Sequence, residues 1–239
     1  MSTQLGPSVQ ITAHGIMQES TTQQHSLGAL AQSADGRMFR YAKVGGTALV
    51  PGTLLQAPAE VTNHQNLTPV AAAIGDTQVT VALGATAATA NQYAEGWLAI
   101  TVTPGQGYLY KIKSHPAAGL STSVVLTLED PIEVALTTSS RCDLVANPYS
   151  AVIINPTTAT SAPIGAAVNN IAASSYGWIQ VQGPCCLLSD GGSTVGTNVS
   201  ASNGTAGAVE AAVTAQAACG YAMTGVATTE YGAFFLTIG

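Results

Sequence analysis

The chain has 239 residues, 46% of them hydrophobic and only 8% charged, with a net charge of −6. Soluble domains usually carry about 25% charge. With 6 Lys and Arg in all, no basic patch can neutralise many phosphates, so nucleic acid is excluded as a partner. A mean hydropathy of +0.29, reached with small uncharged residues, describes a surface that associates with its neighbours. These features predict a subunit of a permanent assembly. The length is enough to bury a sizeable core as one large β domain or two smaller ones. With 3 Phe, 2 Trp and 8 Tyr, much of that core must come from Val, Ile, Leu and Ala.

The first ten residues, MSTQLGPSVQ, have neither a basic start nor an apolar stretch that would mark secretion. Residues 1–35 are polar, and the run Gln18 to His25 (QESTTQQH) has no apolar face. Such a stretch cannot offset its ordering entropy alone and is expected to be either a flexible segment or an extended arm laid on a neighbour, the association-prone composition favouring the arm. Residues 37–44 (RMFRYAKV) alternate basic and apolar groups, the period-2 mark of a half-buried strand, and Gly45-Gly46 ends it. Pro51-Gly52 reads as a turn, residues 54–56 as a short apolar piece, and Pro58 as a break.

Strand signals then recur at short spacing. They cover residues 77–83, 96–103 (GWLAITVT) and 107–113 (GYLYKIK), with Pro104-Gly105-Gln106 as a hairpin connection between the last two. Residues 123–128 (SVVLTL), 132–136 and 151–154 follow, with Glu129-Asp130-Pro131 as a breaker. After the Thr/Ala/Pro-rich connector 155–163, residues 176–183 (YGWIQVQG) form a strand with Trp178 on one face, stopped by Pro184. Residues 194–201, 206–213, 221–227 and 232–238 (GAFFLTI) complete the series, and so apolar a C-terminal strand is expected to be buried. Residues 208–218 could be helical on their alanines, but Gly207, Gly220 and the β-branched residues favour strand. Short strands punctuated by Gly and Pro predict an all-β fold of antiparallel sandwich or barrel-like domains. The expected division is an arm over 1–36, a β domain over 37–155 and a second over 156–239, the two β domains open to packing as one unit.

The longest uncharged run, 206–227, holds one Glu and is built from Ala, Gly and Thr. Those residues gain little on entering lipid, so no membrane association is expected.

Chemistry-bearing residues are few and scattered. Cys142, Cys185, Cys186 and Cys219 form no C-x-x-C pair. Adjacent cysteines do not both reach one tetrahedral zinc, and a bridge between them strains the backbone. All four are expected as buried reduced thiols, with a bridge from Cys142 or Cys219 to the pair left open. The sequons at Asn66, Asn198 and Asn203 carry no meaning without secretion. His14, His25, His64 and His115 show no metal-ligand spacing and are expected mostly in exposed loops. No G-x-S-x-G elbow accompanies them. Cys185 and Cys219 have no local basic group to activate a thiolate. Glu129, Asp130 and Glu133 are the only crowded carboxylates and fit a solvated turn better than a glycosidase pair. Gly45-Gly46 and Gly191-Gly192 lack a phosphate-loop pattern and read as turns. Arg37, Arg40 and Lys43, beside Phe39 and Tyr41, fit a solvated strand face. Trp97, Trp178, Tyr93 and Tyr108 are candidate sugar-stacking rings, though their apolar settings favour core packing. No catalytic, cofactor-binding or metal-binding residue is assigned, no cofactor is expected, and the chain is not expected to be an enzyme.

The texture of residues 79–118, 128–154 (LEDPIEVALTTSSRCDLVANPYSAVII) and 176–192 (YGWIQVQGPCCLLSDGG), with the ending GYAMTGVATTEYGAFFLTIG, resembles head structural proteins encoded beside the major capsid protein in tailed bacteriophages. The resemblance implies a capsid cement or decoration protein. Such a protein is a homotrimer on the outer surface of the virion head, assembled in the host cytoplasm, with the major capsid protein and itself as partners. The alternatives are a tail, baseplate or head-fibre component, or a carbohydrate-binding β module.

Overall fold

Two β-sheets carry nearly all the regular structure of the computed structural model, which describes residues 9–213 and 216–239. The chain forms two units, one from residues 1–59 and 148–239 and the other from residues 60–147. The boundaries therefore fall at 59/60 and 147/148, not at 36/37 and 155/156. Strands on either side of the middle segment pair into one sheet, which no local signal in the sequence announces.

In the first unit the chain runs through β1 (Val9–Gln10), a single helical turn α1 (Ala13–Ile16), β2 (Glu19–Ser20), β3 (Leu30–Gln32), β4 (Met38–Lys43) and β5 (Leu54–Gln56). The second unit contributes β6 (Thr68–Pro69), β7 (Gln78–Ala82), β8 (Trp97–Val102), β9 (Leu109–Ser114), β10 (Ser123–Leu128) and β11 (Arg141–Val145). The chain then returns to the first unit as β12 (Ile153–Ile154), β13 (Pro163–Ala166), β14 (Tyr176–Leu188), β15 (Asn198–Ala201), β16 (Val209–Ala211), β17 (Gly220–Ala222) and β18 (Tyr231–Thr237).

The second unit is a six-stranded antiparallel sheet in the order β11-β8-β9-β10-β7-β6. Its strands alternate as the period-2 pattern demands, so Val79, Leu98, Ile112, Leu126 and Leu144 meet in one core. Leu67, just before β6, exchanges both backbone hydrogen bonds with Cys142 on β11. The sheet therefore rolls around that core, although one such pairing does not make a closed barrel. Residues 132–136, expected as a strand, are not one. Ile132 and Leu136 are buried; Leu136 forms an isolated pairing with Ala72, and Ile132 bonds through its backbone to Gly75 and Asp76 without forming a ladder.

The first unit holds a 12-stranded sheet whose main path is β1-β3-β4-β14-β18-β17-β15-β16. Residues 9–35 are not an arm laid on a neighbour, since β3 pairs with β4 and β2 with β14 of the same chain. Ile16 and Ala31 pack there with Phe39, Tyr41 and Trp178. The part of the expected arm at residues 1–8 lies outside the described residues. β4 is buried on both faces rather than one, with Phe39 and Tyr41 in that cluster and Ala42 facing Leu49 and Ile179 in another. The strand β14 runs 13 residues, straight through Pro184. Pairing with β4 ends at Gln182, leaving Pro184 beside an open edge where a missing N–H is tolerated. Residues 209–211 of the alanine-rich stretch 208–218 form strand; residues 214 and 215 within it lie outside the described residues.

Four strands share one mode of entry that the sequence does not signal. Ala118, Ile171, Ser193 and Val226 each make an isolated backbone pairing, and each is followed by a four-residue turn that leads directly into β10, β14, β15 or β18. The third turn residue is left-handed in all of them: Ser121 (φ 55), Ser174 (φ 61), Gly196 (φ 82) and Thr229 (φ 65). Type II turns want Gly or Asn at that position, so the Ser and Thr there hide the signal.

Candidate association face

Between Gln180 and Gln182 the register of β14 shifts against β4, and Gly183 adopts φ 93. Beyond this irregularity the strand buries Cys185 and Leu187 and turns Pro184 and Cys186 outward. Directly paired residues on antiparallel strands share a face. Pro184 pairs with Phe235, Phe235 with Tyr221, and Tyr221 with Asn198. Cys186 pairs with Ala233, to whose carbonyl Met223 donates its N–H, and Leu188 pairs with Tyr231. These rows form a face across β14, β18, β17 and β15 with no Asp, Glu, Lys or Arg in them; Glu210 on β16, paired with Ser200 two residues along β15 from Asn198, bounds it. Tyr231 is 55% exposed, Met223 40% and Tyr221 39%. The opposite face is core: Leu187, Val199, Phe234 and Leu236 pack with Leu54.

A groove of about 480 Å³ borders the face, walled by Met17, Pro51, Pro184, Cys186 and Tyr231, with Arg37 as its only charged side chain. Arg37 leaves the tight turn after β3, where its carbonyl accepts the Ser33 N–H. Its stem packs over Gly183, at which a Cβ would lie 3.0 Å from Arg37 Cγ. The guanidinium carbon sits 5.6 Å from the Phe39 ring centroid, and Nε donates to Asp35 Oδ2 at 2.8 Å. The Ser33 hydroxyl, and then the Arg37 N–H, hold the exposed Asp35 carboxyl below its ordinary pKa. Gln180, fully buried beside the groove, donates through Nε2 to the carbonyls of Gln182, Gly183 and Pro184. Three carbonyls around Nε2 fix the amide's orientation, and Gln180 Oε1 finds no donor among the described residues.

Of the residues singled out in the sequence, Cys186 and Asn198 stand on this face and Arg37 and Cys185 line the groove beside it, while the other candidate site residues lie apart. Arg40 donates to the Gly28 carbonyl and Lys43 stands over the Tyr176 ring, so the basic residues do not form one patch. Glu129 pairs with Lys111 at 3.6 Å in solvent, and Asp130 and Glu133 are exposed without joining it. The cysteines are free. Cys142, Cys185 and Cys219 are buried, and burial pushes the first two thiols up to about 12 and the third to about 11. Cys186 corrects the expectation of four buried thiols: in an extended strand, neighbours point to opposite faces. The histidines need a correction too. His64 and His115 are buried, and their rings bond to Tyr93, Thr86 and Pro116, residues no motif could have paired with them. Of the candidate stacking rings, Trp178 and Tyr93 are core, Trp97 is half-buried and Tyr108 lies open. A smaller cleft of about 280 Å³ touches Tyr176 and His25, but its other rings, Tyr41 and Trp178, are spent on packing against each other. No group of metal-ligating side chains occurs among the described residues, and none of their helices is long and apolar enough to cross a membrane. Comparison with protein-family models, curated proteins and solved structures returns no match.

Proposed function

We propose that this chain is a structural protein of a tailed-phage head, a cement or decoration protein that joins capsomers from the outer surface of the shell. The observation that carries this is the uncharged sheet face centred on Phe235. Burying such a face strips water from apolar groups without desolvating any ion. Four strands at ~4.8 Å spacing and at most seven residues at ~3.4 Å give a face of no more than roughly 450 Å². That is well under the ~800 Å² that each partner brings to a standard interface. One contact is therefore weak, and useful strength comes from many copies held on a lattice or from trimers that engage several capsomers at once. The low overall charge and the sequence resemblance favour the same role, with the major capsid protein and further copies of this chain as partners.

The test is co-sedimentation of the purified chain with expanded shells of the phage that encodes it, together with shell melting. A cement protein binds, raises the melting temperature of the shell and sediments as a trimer when free. No binding to any such shell would overturn the proposal.

A further inference from the structure

We infer that the groove beside Cys186 receives an apolar segment of a neighbouring protein chain, with a carboxylate of that segment seated on the Arg37 guanidinium. This rests on reading the open face as a docking face. Charge complementarity carries the choice of occupant. The walls are apolar and Arg37 is the one charged group among them. Its stem is pinned over Gly183 and its Nε is held by Asp35, while the Nη atoms have no hydrogen-bond partner among the described residues. Asp35 is exposed, so it competes weakly for the cation. A planar guanidinium with its outer edge free takes a carboxylate through two parallel bonds. The strand edge distinguishes a peptide from a simple aliphatic acid. Pairing of β14 with β4 ends at Gln182, Pro184 and Cys186 beyond it line the groove, and an unpaired strand edge takes an extended peptide where an alkyl chain has nothing to pair with it.

Cys186 makes the groove measurable, since it is the exposed thiol among four free cysteines. The whole 239-residue chain is equilibrated, in the presence of excess cysteamine, with the cysteamine mixed disulfide of mercaptopropionyl-Leu-Glu-amide or of mercaptopropionyl-Leu-Gln-amide, so that the Cys186 thiolate takes the probe and cysteamine thiol leaves, and the probe disulfide at Cys186 is quantified by intact mass. The acidic probe is captured at least about fivefold more than its neutral isostere, as a charge-assisted pair requires. Arg37→Gln brings that ratio to about one, and Arg37→Lys, which keeps stem and charge, retains an intermediate preference. Equal capture of the two probes by the natural chain overturns the inference, as does a ratio that Arg37→Gln leaves unchanged. The measurement needs no shell. A chain that shows the preference but binds no shell loses the cement role alone; one that binds shells with a ratio of one loses the groove's specificity alone.

Discussion

Tyr221 on β17 lies parallel to Phe235 on β18, with ring centroids 5.3 Å apart and planes 7° from parallel. Phe234, the preceding residue, points the opposite way and is fully buried among Leu236, Val199 and Leu54. Two adjacent phenylalanines thus do different work. Phe234→Ala empties a core site and is expected to cost about 3–5 kcal/mol. Phe235→Ser loses a stacked pair on an open face, worth about 0.5–1.5 kcal/mol, yet it is the variant expected to stop shell binding. Urea unfolding and co-sedimentation of both variants check this. A Phe235→Ser chain as unstable as Phe234→Ala would mean that the face is already covered in the free protein.

Cys185 and Cys186 give the same contrast in reactivity. Burial raises the Cys142, Cys185 and Cys219 thiols well above neutrality, and only the thiolate reacts. A chromogenic disulfide reagent at neutral pH is therefore expected to titrate Cys186 quickly and the other three only after denaturant is added. Cys186→Ser abolishes the fast phase without changing the melting temperature by more than about a degree, because the side chain is exposed. A fast phase that survives Cys186→Ser would contradict the arrangement of β14.

Period-2 alternation made the strands legible wherever a strand had one wet face. Residues 123–128 carry that period and form β10, with Val124, Leu126 and Leu128 inward. Legibility failed where the period carries no contrast. In residues 232–238 every side chain is apolar or small, so nothing in the sequence separates Phe234 from Phe235. The strands β1 and β2 have two residues each, too short to show any period. Ile132 and Leu136 are buried like strand residues but sit in a loop. The open face joins residues of β14, β17 and β18 that only tertiary pairing brings together. The opposed directions of Cys185 and Cys186, by contrast, follow from strand geometry once β14 is allowed to run through Pro184.

Thr229 is the most strained of the recurrent turn positions, a β-branched residue at φ 65. An L-residue held there costs roughly 1–2 kcal/mol, while glycine at the same place gives back about 0.4–1 kcal/mol through the greater freedom of the unfolded chain. Thr229→Gly is thus expected to raise stability by about 0.5–1 kcal/mol. The lost hydroxyl contact, to the exposed Thr228 carbonyl, is one that water replaces. Urea midpoints of the two chains decide it. A loss of stability would show that the left-handed residue is held by a contact made only by threonine.

His115 makes the second unit sensitive to acid. Its Nε2 accepts the Tyr93 N–H at 3.0 Å, and its Nδ1 bonds to the Pro116 carbonyl at 2.8 Å, which requires the neutral ring with its proton on Nδ1. Burial, and after it the nearby His64, lowers the pKa of His115 below its ordinary value of 6.5; the bond to Pro116 opposes the shift without reversing it. The unfolded chain then binds the proton more readily than the folded one. The stabilising contribution is complete above pH 6.5 and is lost progressively as the pH falls from there toward the lowered folded pKa. Protonation at Nε2 also replaces an acceptor with a donor facing the Tyr93 N–H. The urea midpoint of the natural chain is expected to fall between about pH 7.5 and about pH 5, and His115→Gln, less stable throughout, is expected to show a shallower fall over that window. Equal slopes for the two chains would assign the acid sensitivity to other groups.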